Sequence, residues 1–253
     1  MDKFARLLII GLCVITLASC ATLKPSAVQP PPVVYPPPPQ VLRQDVIHIV
    51  APGETLWRIS RTYDVSIEDI MRANKLTQKD RLTMGQRLLI PQALPACSII
   101  PLYPSNKWKY IIIHHSATDA GNALAFYNAH KRRGFIHGLG YHFVIDNGSS
   151  GKPDGYIEIS PRWLKQQDGA HCKASGMNYK GIGICLVGNY SEGDVSEKQM
   201  ASLVYLVNIL RRFYHIPIRN IMGHGQVPGA NTECPGKRFP WKSFFSRLKQ
   251  ESS

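Results

Sequence analysis

The sequence predicts an α/β protein: a sheet domain flanked by helices, preceded by a small βααβ unit. Three observations carry this reading. Apolar runs suited to buried strands recur at residues 109–115, 141–146 and 181–187. Helical patterns lie between and after them, as an α/β sheet requires. Upstream, residues 46–91 carry two strand signals enclosing two helix signals.

Taken in order, Lys3 and Arg6 give a positive start, and residues 7–18 form an apolar run of 12. That run is too short to cross a bilayer as a helix and reads as the core of an export signal. It ends in Leu17-Ala18-Ser19-Cys20, which resembles the lipobox of bacterial lipoproteins. The resemblance implies cleavage after residue 19 and a lipid on Cys20; several acyl chains on one residue anchor stably where a single one does not. Ala21, rather than Asp, fits sorting to the periplasmic face of the outer membrane. Residues 1–19 are thus expected to be a signal peptide, and 20–44 an anchor and linker. Within the linker, PSAVQPPPVVYPPPP at 25–39 predicts an extended polyproline spacer of about 3.1 Å per residue.

Val46-Ile47-His48-Ile49-Val50 predicts a strand and Ala51-Pro52-Gly53-Glu54 a turn. Leu56, Ile59 and Tyr63 share one face of a helix starting at Thr55, and Ser66 with Asp69 has the spacing that opens a second helix. Leu88-Leu89-Ile90-Pro91 closes the unit as a strand. With GETLWRIS, Asn74 and MGQRLLIP in this order, residues 45–91 resemble a LysM domain. The resemblance implies binding of the N-acetylglucosamine units of peptidoglycan or chitin, with Gly53, Thr55 and Asn74 near the ligand. Gly53 also suits a turn and Asn74 a helix C-cap.

Residues 92–107 are read as a linker and 108–253 as the larger domain. After the strand at 109–115 come a helix over 122–131, a strand at 141–146 and a strand at 181–187. Ser196 with Gln199 opens a long helix whose apolar face is Leu203, Leu206, Leu210 and Phe213.

A formal charge of +13 points to an anionic partner or to a solvated basic surface. Export removes nucleic acid as a partner and leaves wall polymers and acidic lipid. Cys97, Cys172, Cys185 and Cys234 are too scattered for a disulfide scaffold.

Read from spacing alone, the chemistry-bearing residues suit either a metal site or separate structural roles, the commoner use of a lone His or Cys. His114 and His115 end a strand, so only one of them can face a given site. The segment GHGQVPGANTECPG, with glycines and prolines around His224 and Cys234, is a shaped loop able to bring both to one point. Two imidazoles and a thiolate suit zinc, and three protein ligands leave a position for water.

IIIHHSATDA, GYHFVID, DGAHC, NYKGIGICLVGNY and GHGQVPGANTECPG occur in the order seen in zinc N-acetylmuramoyl-L-alanine amidases. This superfamily includes phage amidases and animal peptidoglycan recognition proteins, and the resemblance implies a mixed β-sheet flanked by helices. It also implies hydrolysis of the bond between N-acetylmuramic acid and L-alanine, with zinc on His114, His224 and Cys234. Tyr141 matches the family's catalytic tyrosine, although a core aromatic would look the same. Thr232 stands where phage members carry lysine, so a hydroxyl replaces a positive charge opposite the oxyanion. Cys185 stands where another branch has a catalytic glutamate, and reads as a core thiol. His171 and Asn178 fall near the family's muropeptide contacts; His171 equally suits a turn. His130, His137 and His215 read as surface residues. Two other function classes stay open: a receptor that binds peptidoglycan without cutting it, and a cysteine peptidase using Cys172 or Cys234. Retention of Cys234 favours the metal enzyme.

Overall fold

A computed structural model describes residues 42–77, 82–96 and 98–250. The export signal, Cys20, the proline-rich spacer and Cys97 lie outside the described residues. The N-terminal unit consists of β1 (Gln44–Ile49), α1 (Leu56–Tyr63), α2 (Ile67–Ala73) and β2 (Arg87–Ala93). β1 and β2 pair antiparallel, and Leu56, Ile59, Ile70, Leu88 and Ile90 fill the space beneath the two helices. Thr55 caps α1 by accepting the Arg58 N–H at 3.3 Å, and Ser66 caps α2 by accepting that of Asp69 at 3.0 Å.

The larger part contains β3 (Tyr110–His115), α3 (Ala123–Arg132), β4 (Phe143–Asn147), β5 (Asp154–Ile159), α4 (Pro161–Leu164), α5 (Met177–Lys180), β6 (Gly181–Leu186), α6 (Glu197–Phe213), β7 (Ile221–Gly223) and α7 (Trp241–Gln250). The five strands form one mixed sheet in the order β5-β4-β6-β3-β7. β3 is parallel to β6 and β7, β4 is parallel to β6, and β5 runs antiparallel at the edge.

Strand alternation sorts the sheet's two faces. Ile111, Ile113, Phe143, Ile145, Ile182 and Ile184 pack into one core with α6 and α7. Full burial of Leu203, Leu206 and Leu210 on α6 contributes about 1.5–3 kcal/mol per side chain. Phe213 does not join them. It is 41% exposed, and the next residue, Tyr214, packs into the core instead because the helix ends there. Ile112 faces the other side, with Cys172, Met177 and Val227, and His114, two residues on, points the same way.

Residues 98–103, expected to be linker, belong to the domain's surface layer. Ile100, Leu102 and Tyr103 pack on the main core, and the Ser98 hydroxyl both donates to and accepts from the backbone of Ile157. The N-terminal unit is packed against the sheet domain through charge. The Lys152 Nζ reaches the buried His48 ring at 3.3 Å, and His48 Nε2 lies 2.7 Å from the Glu54 carboxylate.

Candidate metal centre

The site forms where parallel strands end. His114 is the penultimate residue of β3, and Ile113 pairs with Gly223 at the end of β7. One residue beyond that pair on each strand, His114 and His224 stand side by side, their ring centroids 4.8 Å apart. The chain after His224 turns back so that Gly225 N donates to the Cys234 carbonyl at 2.7 Å. That return passes so close that a Cβ on Gly225 would lie 2.3 Å from the Thr232 carbonyl oxygen, which only glycine avoids. Cys234 Sγ accepts the His115 backbone N–H at 3.4 Å and lies 3.6 Å from His114 Nδ1. One donor atom from each of His114, His224 and Cys234 lies within 4.8 Å of the others.

Burial, followed by the neighbouring imidazoles of His171 and His224, holds His114 well below the usual histidine range. His224 is also lowered by burial. Both rings are therefore neutral, with lone pairs to give. Burial pushes the Cys234 thiol up to about 12, so an exposed-thiol type of reactivity is suppressed. Neutral imidazoles and a thiol that only a strong Lewis acid would deprotonate form a donor set that fits zinc.

His115 turns away from this cluster. Its Nδ1 accepts the Tyr190 N–H at 3.1 Å. Tyr141 lies against His114 at 5.1 Å between ring centroids, while His142 is buried against Trp108 and accepts the Gly183 N–H. Burial, then the Cys185 and Cys234 sulfurs, push the Tyr141 phenol well above its ordinary range, so it stays a proton donor. Cys185 is fully buried beside that phenol. Thr232 is exposed, and its Oγ1 accepts the Cys234 N–H at 3.2 Å, leaving the hydroxyl proton available.

Several expected substrate contacts have other work. His171 is buried, with Nδ1 3.0 Å from His114 Nε2 and Nε2 3.2 Å from the Gly181 carbonyl, so neither nitrogen is left for a ligand. Asn178 Oδ1 accepts the N–H groups of both His171 and Cys172 at 2.8 Å, which makes it a brace for the loop carrying His171. Asn74 ties α2 to β2: its amide donates to the Ile70 and Leu89 carbonyls and accepts the Leu89 N–H, each at 2.7 Å. That side chain is spent on the fold. Gly53 remains an exposed turn residue beside Pro161, and Thr55 is exposed at the α1 cap.

His130 was expected at the surface but is half-buried. Its Nδ1 accepts the Gly140 N–H at 3.0 Å, and its ring lies 5.6 Å from that of Tyr141. The signal for it was weak: it follows Phe126 and Tyr127 at helical spacing, on the side of α3 that meets the Tyr141 segment.

Comparison with known proteins bears on the family of this chain. The N-acetylmuramoyl-L-alanine amidase family matches residues 104–237, and the LysM domain matches residues 48–91. An endolysin of Enterobacteria phage K11 is 30% identical over 131 residues, covering 49% of this chain and 77% of the endolysin. Among solved structures, the N-acetylmuramoyl-L-alanine amidase LysC from Clostridium intestinale URNW shares 30% identity, covering 60% of this chain and 95% of its own, with a TM-score of 0.47. Drosophila PGRP-LB shares 27% identity over 52% of this chain and 76% of its own, with a TM-score of 0.41. With the family covering more than half its length, the chain belongs to the N-acetylmuramoyl-L-alanine amidases and carries a LysM domain ahead of the amidase part.

Proposed function

We propose that this peptidoglycan amidase hydrolyses the amide between the lactyl group of N-acetylmuramic acid and L-alanine with zinc held by His114, His224 and Cys234. The observation that carries this is the convergence of those three donor atoms within 4.8 Å at the end of the parallel strands. Held there, zinc would supply a Lewis acid for the scissile carbonyl and a means of lowering the pKa of the attacking water.

The remaining chemistry falls to this chain's own side chains. Tyr141, protonated at neutral pH and beside His114, donates its phenolic O–H to the oxygen that gains charge on attack. Thr232 donates its hydroxyl to the same oxygen, steadied by the Cys234 N–H. A hydroxyl there stabilises less than a lysine ammonium would, which leaves Tyr141 the larger share. As the C–N bond breaks, the proton given up by the attacking water passes to the departing alanine nitrogen.

The two competing classes fare worse on chemistry. A cysteine nucleophile needs a lowered pKa, whereas burial raises both Cys172 and Cys234. A receptor that does not cut has no need of a complete donor trio. The LysM domain binds peptidoglycan and concentrates the amidase part on its substrate. A lipid on Cys20 and a spacer at 25–39, for which the sequence motifs are the support, would hold the enzyme at the periplasmic face of the outer membrane.

Mass spectrometry of digested wall tests the reaction. Free stem peptides beginning with L-alanine are expected, and their release should stop on chelation and return with zinc. Products cut between sugars or between peptide residues would reject the reading.

A further inference from the structure

Away from the metal centre, a cleft of about 230 Å³ opens between the LysM domain and the amidase sheet. α1 contributes Trp57 and Arg58 to one wall, Ile99, Pro101 and Tyr156 line the other, and Glu54 and Glu158 also border the cleft. Trp57 leaves 58% of its surface exposed here. Among the described residues, the Arg58 guanidinium has neither an ion pair nor a hydrogen bond. The nearby carboxylate is not free to serve it: Glu54 is held by His48 at 2.7 Å and by the Ala51 N–H at 2.7 Å. Burial lowers the Arg58 pKa and the charge of Glu54 offsets part of that drop, so the guanidinium has an opposite charge nearby but no direct contact with it.

An exposed indole beside a partly buried, unpaired guanidinium selects for a ligand with an apolar face and an anion. A pyranose offers C–H bonds to an aromatic face, and a carboxylate matches the guanidinium's paired N–H donors. We propose that this cleft binds an amino-sugar unit bearing a free carboxylate, with its ring on Trp57 and its carboxylate on Arg58. Resting on the amidase reading, the ligand is the reaction's own glycan product. Hydrolysis adds water across the lactyl amide: the carbonyl carbon keeps its oxygen and gains that of water to become a carboxylate, while the C–N bond breaks and the alanine nitrogen leaves as a protonated amine. Each cut therefore turns a neutral amide on the glycan into the anion that Arg58 lacks. A strand already stripped of peptides then holds the enzyme beside uncut neighbours, and the amide form gains nothing from Arg58.

The test is calorimetric titration of the zinc-loaded protein with two probes. One is the N-acetylglucosamine–N-acetylmuramic acid disaccharide with its lactyl carboxylate free; the other is the same disaccharide capped as the primary amide. Sugar contacts elsewhere on the LysM domain affect both probes alike and cancel in their ratio. The acid should bind about tenfold more tightly than the amide, the scale of one charge-assisted hydrogen-bond pair. Arg58→Gln should abolish that ratio, Arg58→Lys should keep part of it, and Trp57→Ala should weaken both probes. Thermal melts of each variant establish that it is folded. Equal binding of acid and amide by the wild type, or an acid preference that survives Arg58→Gln, overturns the proposal. Release of stem peptides by the same preparation, without an acid preference, sinks the cleft and leaves the amidase reading standing. An Arg58-dependent acid preference without stem-peptide release does the reverse.

Discussion

His171 determines which nitrogen His114 can offer. The His171 Nε2 faces the Gly181 carbonyl at 3.2 Å, an acceptor, so it carries the ring proton. Nδ1 is then an acceptor, and it takes the Nε2–H of His114 at 3.0 Å. The lone pair of His114 is thereby left on Nδ1, the atom 3.6 Å from Cys234 Sγ. Such a partner orients a ligand and raises its basicity.

Replacing His171 with Ala should therefore lower zinc affinity by about 10- to 100-fold, read by competition with a chromogenic chelator. Gly183→Ala should imitate it, since a Cβ there would lie 2.5 Å from the His171 ring. Unchanged zinc affinity in both variants would remove His171 from the site's design.

Tyr141→Phe separates metal binding from chemistry. The phenyl ring keeps its packing on His114, so zinc content should match the wild type. Loss of the O–H should lower kcat by about a hundredfold with little change in KM. A variant that instead loses its zinc would make Tyr141 a structural support.

How far the sequence reveals this site depends on how local each role is. His114, His224 and Cys234 are legible through the family motifs that contain them, since a strand end and a glycine-rich loop alone leave a structural role open. His130 and His171 are not, because their partners, the Gly140 N–H and the His114 ring, are set by tertiary contacts. β5 was missed for a similar reason. Its sequence, DGYIEI, opens with turn residues and carries Glu158, a carboxylate that is 2% exposed and accepts the Ala123 N–H at 2.5 Å. α6 was legible through its cap, since Ser196 with Gln199 closes a capping box, whereas the Asn122 cap on α3, which accepts the Ala125 N–H, emerges only in the structure.

Asn74 makes a test of the LysM domain's interior. Its three hydrogen bonds of 2.7 Å join α2 to β2, so Asn74→Ala strands the Leu89 N–H and two carbonyls. A loss of about 2 kcal/mol is expected in urea unfolding. Affinity for chitin oligomers should stay within a factor of two at low temperature, on the order of the ±0.5 kcal/mol of a neutral change. A selective loss of sugar affinity with unchanged stability would restore Asn74 as a ligand contact.

The metal-free protein should weaken steeply between pH 6.5 and pH 4. Burial holds His171 down to about 4, against 6.5 for the unburied side chain, and burial keeps His114 and His142 well below their ordinary range too. In that window the unfolded chain takes up protons that the folded chain refuses, so stability falls as pH falls. The contribution is fully present above pH 6.5. For His171 alone, the two pKa values differ by an amount equivalent to about 3 kcal/mol, lost once pH passes below 4. Urea midpoints of the chelated protein, taken at intervals from pH 7 to pH 4, should trace this decline. Saturating zinc should move the onset to lower pH, because a bound metal competes with protons for the same lone pairs. A flat profile in the chelated protein would mean that these rings are already charged in the folded state, and that the donors of the metal centre are not poised as neutral imidazoles.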